Sequence, residues 1–134
     1  LDHVEGKFYF VSFINVFSHI DDIEGFLEKC NKLLLDSGEI ILETGNIADL
    51  KSSKGVIGEL DLPDHLMFAG EKHIVGFLER AGFKVSNKIT YRRDTILNFF
   101  KSAIKKILLR RQVNIVVPYT SSYRALIFRA KKIA

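Results

Sequence analysis

Two apolar runs, separated by a stretch with helical periodicity, dominate the first third of the chain. The runs cover residues 8–13 (FYFVSF) and residues 39–44 (EIILET). Asp21 and Asp22 offer an N-cap between them, and an apolar stripe follows at helical spacing: Ile23, Phe26, Leu27, Cys30, Leu33 and Leu34. Strand, helix and strand in this order predict a βαβ unit, whose crossover is long enough to make the strands parallel.

Two details of this unit can be predicted as well. Asp36-Ser37-Gly38 is expected to end the helix, because Gly tolerates the left-handed conformation that caps a carboxyl end. Residues 8–13 are apolar on both faces of a strand, which is typical of a strand buried on both sides. The first strand is therefore predicted to lie in the core.

Shorter patterns predict the remaining elements. Residues 47–70 lack periodicity and contain several Ser and Gly and a Pro, so we expect a loop, and a loop this long is usually functional. The apolar spacing that follows predicts helices at 71–81 and 94–111, strands at 84–91 and 123–131, and a connector at 112–122. The apolar arc of the helix at 94–111 suits packing on the domain, which we favour, and would also suit an anionic membrane surface. Residues 1–134 are thus predicted to form a single α/β domain.

Charge and composition narrow the class of protein. With 134 residues, 47% hydrophobic and 27% charged, the chain is typical of a folded globular domain. Cys30 is its one cysteine, which excludes an internal disulfide and a cysteine-rich zinc site and is compatible with a cytoplasmic location. The histidines lack metal-ligand spacing, so no metal site is expected. Residues 101–111 contain five basic residues and no acidic one, which we interpret as a solvated face, because nucleic-acid binding would also need stacking aromatics.

Three segments carry a resemblance to a known family. In order along the chain, FYFVSFINVFSHIDD, LLLDSGEIILETGN and DHLMFAGEKHIVGFLERAGFKV resemble the second half of a class I S-adenosylmethionine-dependent methyltransferase of the small-molecule type. The glycine-rich loop and the acidic residue that hold the cofactor belong to the family's first half, and nothing here matches them. The resemblance implies that the chain supplies strands four to seven of a partial Rossmann-like sheet, with the last strand antiparallel and inserted between the fifth and sixth. It also implies S-adenosylmethionine as cofactor and a small-molecule acceptor.

The resemblance assigns candidate cofactor-binding residues to the turn after the first strand. In the family this turn lines the pocket beside the methionine and adenosine portions of the cofactor, and here it consists of Phe13, Ile14 and Asn15. Asn46, which follows the second strand, is the candidate substrate-binding residue. The alternative is that these residues only end their strands.

Two histidines correspond to recurrent histidines of the family. His65 lies on the loop that folds over the acceptor side, and it is the preferred catalytic residue. His19 precedes the crossover helix and would orient or deprotonate an acceptor hydroxyl, or fix the turn by bonding to the backbone. Two positions depart from the family pattern: Tyr9 stands where an Asp is usual, and Gly70 replaces the Ser or Thr that caps the later helix.

The implied strand order leaves one edge of the sheet open. Residues 8–13 would lie where the family's first strand pairs, and folded proteins normally cover such an edge. We therefore expect this edge to form a homodimer, or the chain to be part of a longer protein that is inactive without its first half. The alternative function is a noncatalytic α/β interaction module that binds a partner through the open edge or the basic helix.

Overall fold

The computed structural model describes residues 4–49, 66–92, 95–108 and 124–133. Within these residues it contains four strands: β1 (Phe8–Ile14), β2 (Leu34–Gly45), β3 (Phe83–Tyr91) and β4 (Ala125–Lys132). It also contains three α-helices, α1 (Ile23–Leu33), α2 (Glu71–Arg80) and α3 (Ile96–Leu108), and short 3-10 turns at Phe17–His19 and Ile47–Asp49. The predicted connector 112–122 lies outside the described residues, as do residues 50–65 of the predicted loop.

The four strands form one mixed sheet in the order β1-β2-β4-β3. β1 and β2 are parallel and are joined through α1, which confirms the predicted βαβ unit. β4 is antiparallel to both β2 and β3 and lies between them. The chain's last strand is therefore inserted into the sheet as the resemblance implied, and β1 lies at an edge.

One face of the sheet is covered by α1 and α2. Leu27 and Cys30 from α1, and Ile74 and Leu78 from α2, are fully buried in the same cluster as the inward residues of the strands: Phe13, Ile40, Leu42, Phe83 and Phe128. Burial raises the pKa of the Cys30 thiol to about 11, so this cysteine behaves as a small apolar core residue, as its place in the stripe indicated.

The amino end of α1 is capped as the sequence predicts, but its carboxyl end differs. The side chain of Asp22 accepts a hydrogen bond from the Gly25 amide at 2.9 Å. The prediction that Asp36-Ser37-Gly38 ends the helix is wrong, because α1 ends at Leu33 and β2 begins at once with Leu34. Ser37, and not Gly38, has a positive φ of 63°. The pairing with β1 is irregular here, so residues 35–38 make an excursion within a strand rather than a helix cap.

The prediction that β1 is buried on both sides is wrong for this chain. Tyr9 is 73% exposed and Phe10 is 58% exposed, whereas Phe13 is buried. The reason is that β1 pairs only with β2, and that α1 and α2 lie on one face alone. On the opposite face, apolar residues such as Ile89 also remain more than half exposed. The open edge expected from the strand order is therefore present in the described part of the chain.

The apolar arc of α3, which we expected to pack on the domain, is exposed. None of its residues is buried, and the large apolar side chains Leu97, Phe100 and Ile107 are each more than half exposed. The described helix runs from Ile96 to Leu108, so it begins two residues after the predicted start at 94, and residues 109–111 lie outside the described part of the chain.

The amino end of α2 shows how Gly70 serves in place of a capping Ser or Thr. The Asp49 side chain accepts a hydrogen bond from the Glu71 amide at 2.7 Å, so a carboxylate from a distant turn caps the helix. A Cβ atom built on Gly70 would lie 2.6 Å from Cγ of Asp49. Gly70 is therefore the residue that gives Asp49 room to reach the helix.

This arrangement predicts a non-additive pair of substitutions. Gly70→Ala should displace the Asp49 carboxylate and lower the free energy of unfolding by about 1 kcal/mol, the usual value of an N-cap. Asp49→Ala should have a similar effect, and the double variant should lose little more, because both remove the same bond. The measurement is chemical denaturation of all three variants. Gly76→Ala is the control, because its Cβ would meet only the end of the Arg80 side chain, so it should stabilise α2. If the double variant lost the sum of the two single losses in unfolding free energy, Gly70 and Asp49 would not act through the same hydrogen bond.

Candidate functional site

Three strands end at the same edge of the sheet. β3 and β2 are both antiparallel to β4, so β1, β2 and β3 run in one direction. Their carboxyl ends bring together Ile14 and Asn15, Gly45 and Asn46, and Tyr91, which we call the carboxyl edge. Ligands of open α/β sheets bind beyond this kind of edge. The predicted cofactor turn and the predicted substrate residue therefore lie on neighbouring strands.

The predicted cofactor residues in the turn after β1 differ in burial. The Phe13 ring is buried, with its centroid 5.2 Å from that of Phe26 in an edge-to-face arrangement and 6.4 Å from that of Phe17. Its side chain thus belongs to the core. Ile14 is 49% exposed and Asn15 is also exposed, so these two side chains, unlike the Phe13 ring, lie at the surface of the carboxyl edge.

Asn15 has an unusual backbone conformation for a residue with a side chain. Its φ is 56°, in the left-handed region where Asn is tolerated better than most residues. Its amide donates a hydrogen bond to the carbonyl oxygen of Glu43 at 3.2 Å, which joins the turn to β2. The turn is therefore fixed in position at the point where the chain leaves β1.

The structure places one of the two predicted histidines. His19 is an exposed residue at the end of the turn Phe17–His19, and its amide donates to the carbonyl of Val16 at 2.9 Å. The carbonyl of the preceding residue, Ser18, accepts hydrogen bonds from the amides of Leu66 and Met67 at 2.8 and 3.2 Å. His65, the preferred catalytic residue, lies outside the described residues. The residues next to His19 and His65 in sequence are thus hydrogen-bonded to each other.

Asn46 has a defined structural contact. Its side-chain Oδ1 accepts a hydrogen bond from the Arg124 amide at 2.7 Å, and its own amide donates to the Arg124 carbonyl at 3.1 Å. Its carbonyl accepts from the Asp49 amide at 2.9 Å. Asn46 therefore joins the end of β2 to the start of β4 and to the turn that caps α2.

A partly buried pair at the carboxyl edge was not predicted from the sequence. Glu43 is a buried residue near the end of β2, and its Oε1 accepts a hydrogen bond from the Tyr91 hydroxyl at 2.6 Å. By strand alternation both residues lie on the sheet face opposite α1 and α2. The run EIILET contained a signal, because Glu39 and Glu43 are four residues apart and fall on the same face of a strand.

Glu39, the second buried carboxylate on that face, forms ion pairs with basic residues of β4. Glu39 is buried, and its Oε2 accepts a hydrogen bond from Nε of Arg129 at 2.6 Å, with Nζ of Lys131 3.7 Å from Oε1. Both buried carboxylates therefore have partners, as buried charges require. Among the residues that the structure describes, no group of three or more His, Cys, Asp or Glu side chains could hold a metal ion.

Solved structures with the same architecture include methyltransferases and a cyclopropane synthase. A provisionally assigned methyltransferase from Bacillus halodurans matches with a TM-score of 0.67 and 13% identity, over 100% of this chain and 68% of its own. A mycolic acid cyclopropane synthase crystallised with S-adenosylhomocysteine and CTAB matches with a TM-score of 0.68 and 11% identity, over 98% of this chain and 57% of its own. Phosphoethanolamine N-methyltransferase 2 from Haemonchus contortus, crystallised with S-adenosylmethionine, matches with a TM-score of 0.64 and 10% identity, over 95% of this chain and 34% of its own. The chain has a class I methyltransferase fold.

The match is one of structure and covers part of the larger proteins. No family model matches the sequence, and no curated protein sequence matches it. The chain spans about half to two thirds of three of the matching methyltransferase structures, namely 54%, 68% and 59% of their lengths. This chain therefore shares with them the fold of one part of a methyltransferase.

Proposed function

We propose that this chain is the carboxyl-terminal half of an S-adenosylmethionine-dependent methyltransferase domain that acts on a small-molecule acceptor. The observation that supports it best is the order and direction of the strands. A parallel pair, an inserted antiparallel last strand and an apolar open edge at β1 form the second half of such a sheet. The missing first half would pair with β1 and cover its exposed aromatic residues.

The residues at the carboxyl edge fit one side of the cofactor. S-adenosylmethionine, when bound, supplies a methyl group on a positively charged sulfur. Ile14 would provide apolar surface for the adenosine portion, and the fixed turn would let Asn15 provide polar contacts. Phe13 would contribute through its main chain, because its ring is in the core. These residues form one wall, so we propose that the chain alone is inactive.

The acceptor would be bound next to the same edge. Oδ1 of Asn46 already binds the Arg124 amide, so its contact with an acceptor would come from the side-chain nitrogen. His65 would accept a proton where the acceptor needs deprotonation, because an imidazole titrates near neutral pH. His19 would orient the acceptor from the adjacent turn.

A second candidate function is a noncatalytic interaction module. The observation that favours it is the exposure of Tyr9 and Phe10 on the edge strand β1, which would allow pairing with a second copy. In the homodimer a second copy of the chain would cover β1, whereas in the methyltransferase the first half of the domain would cover it. Sedimentation of the chain alone would show the homodimer directly as a doubled mass.

The proposed function predicts a defined loss of activity. In the protein extended by the residues that its gene encodes before Leu1, His65→Ala should lower kcat/KM for methyl transfer by about tenfold or more, without changing the affinity for S-adenosylmethionine. Transfer of radiolabelled methyl to a panel of small-molecule acceptors measures kcat/KM, and calorimetry measures cofactor binding. Lys72→Ala, an exposed position on α2, is the control.

Two results would count against this proposal. An extended protein that methylates no acceptor would reject the methyltransferase function. An unchanged kcat/KM in His65→Ala would remove His65 from the reaction and leave the function to other residues.

A further inference from the structure

The apolar side of α3 is exposed. On a helical wheel with 100° per residue, six large apolar residues fall within a single arc of about 120°. Their exposed fractions range from 53% to 76%. They are Ile96, Leu97, Phe100, Ile104, Ile107 and Leu108. Partly buried Phe99, Ser102 and Ala103 lie outside this arc, so the side of α3 that is shielded differs from the side that is most apolar.

The polar side of α3 is basic. The helix carries Lys101, Lys105 and Lys106 and no acidic residue. On the wheel, Lys101 lies next to Leu108 at the border of the apolar arc, and Lys105 follows it. Lysines at such a border can extend their aliphatic stems along an apolar surface and keep the charge in water. A well-separated apolar face with a lysine-rich polar face is the pattern of a helix that lies in a membrane interface.

The charges of the described residues favour one of the surfaces that could cover this arc. On the open face of the sheet, Glu39 is bonded to Arg129 and Glu43 to Tyr91, so the lysines of α3 would gain no new ion pair there. A second copy of α3 would carry the same three positive charges and would be repelled. An anionic lipid surface offers both an apolar layer and negative charge.

We infer that α3 binds the surface of a membrane that contains anionic phospholipids. The apolar arc inserts at the boundary of the acyl chains, Lys101 and Lys105 bind lipid phosphates beside it, and Lys106 on the far side of the helix adds to the positive charge near the surface. None of the helices in the described ranges is long and apolar enough to cross a membrane, so α3 would lie in the interface. Four residues join Tyr91 at the carboxyl edge to Ile96, which limits the separation to roughly 17 Å. Binding would therefore bring the candidate site close to the lipid surface.

The test is binding of the protein to phosphatidylcholine vesicles with and without phosphatidylglycerol. We expect binding only with phosphatidylglycerol. Replacing Lys101, Lys105 and Lys106 together by Glu should weaken it by about 100-fold or more, because each basic residue near an anionic surface contributes about fivefold. Lys32→Glu, Lys72→Glu and Lys84→Glu together make the same change of net charge at exposed positions elsewhere, and this control should bind within a few-fold of the unmodified protein.

Two further variants separate insertion from simple charge attraction. Phe100→Ser with Ile104→Ser keeps every charge and should weaken binding by about tenfold or more, because both side chains leave water on insertion. The sequence has no tryptophan, so Ile107→Trp gives a single tryptophan, excited selectively over the tyrosines, at the most exposed position of the arc. Its emission should shift to shorter wavelength with anionic vesicles and be quenched by brominated lipids.

Three outcomes would overturn the inference. The first is that the α3 charge variant and the control charge variant lose vesicle binding equally. The second is that the tryptophan emission does not shift with anionic vesicles. The third is that the serine variant changes the oligomeric mass but binds vesicles as before. The last result would make α3 a contact between copies. All of these measurements omit S-adenosylmethionine, so their outcome is independent of the proposed methyl transfer.

Discussion

Phe128→Ala should lower the free energy of unfolding by about 3–5 kcal/mol, the range for removing a buried aromatic side chain. The ring is 1% exposed and lies in β4, the strand that β2 and β3 both pair with. It faces α1 and α2 next to Leu42, its partner residue on β2. Removing it would leave a cavity at the centre of the one face that is covered.

Chemical denaturation of the variant measures this loss, and the chain offers a matched control. Phe100→Ala removes the same side chain at a position that is 57% exposed, so it should change stability by no more than about 0.5 kcal/mol. If Phe128→Ala does not fold, Phe128→Leu should still fold and lose a smaller amount, because it keeps most of the volume. Equal effects of the two alanine variants would contradict the central position of β4.

Much of the fold could be predicted from the sequence because its local signals agree with the final structure. The apolar stripe of α1, the Asp22 cap and the two flanking apolar runs each indicate the same βαβ unit. The insertion of β4 between β2 and β3 could not come from periodicity, which gives no strand order. It came from the family resemblance, and the pairing of β4 confirms it.

The incorrect predictions share a physical cause. Tyr9 and Phe100 were expected to be buried because large aromatic side chains prefer the core. That preference does not say whether another element is present to cover them, and both are more than half exposed. Both lie where this chain provides too few neighbouring elements. The early end of α1 has a different origin, because Leu34 continues the apolar stripe of the helix in sequence but is buried as the first residue of β2.

The site could be predicted in position but not in detail. Strand ends identified Asn15 and Asn46, and the structure brings both to the carboxyl edge. The Glu43–Tyr91 bond joins residues 48 apart in the chain, and the cap that Asp49 gives to α2 spans 22 residues. Contacts of this kind depend on how distant elements pack, which no local pattern specifies.

We propose that the cofactor site is shared between this chain and a first half that pairs with β1. A pocket for a ligand of this size must cover most of its surface, and the carboxyl edge supplies a single wall. We therefore expect S-adenosylmethionine to bind at least about 100-fold more tightly to the extended protein than to residues 1–134 alone. The same extension should protect the amide protons of β1 from exchange, since the edge would gain a strand.

Isothermal titration calorimetry of S-adenosylmethionine with the two proteins is the most direct measurement. We expect clear heat of binding for the extended protein and none for residues 1–134, with circular dichroism to verify that both are folded. Equally tight binding to residues 1–134 alone, or no binding to the folded extended protein, would contradict the claim.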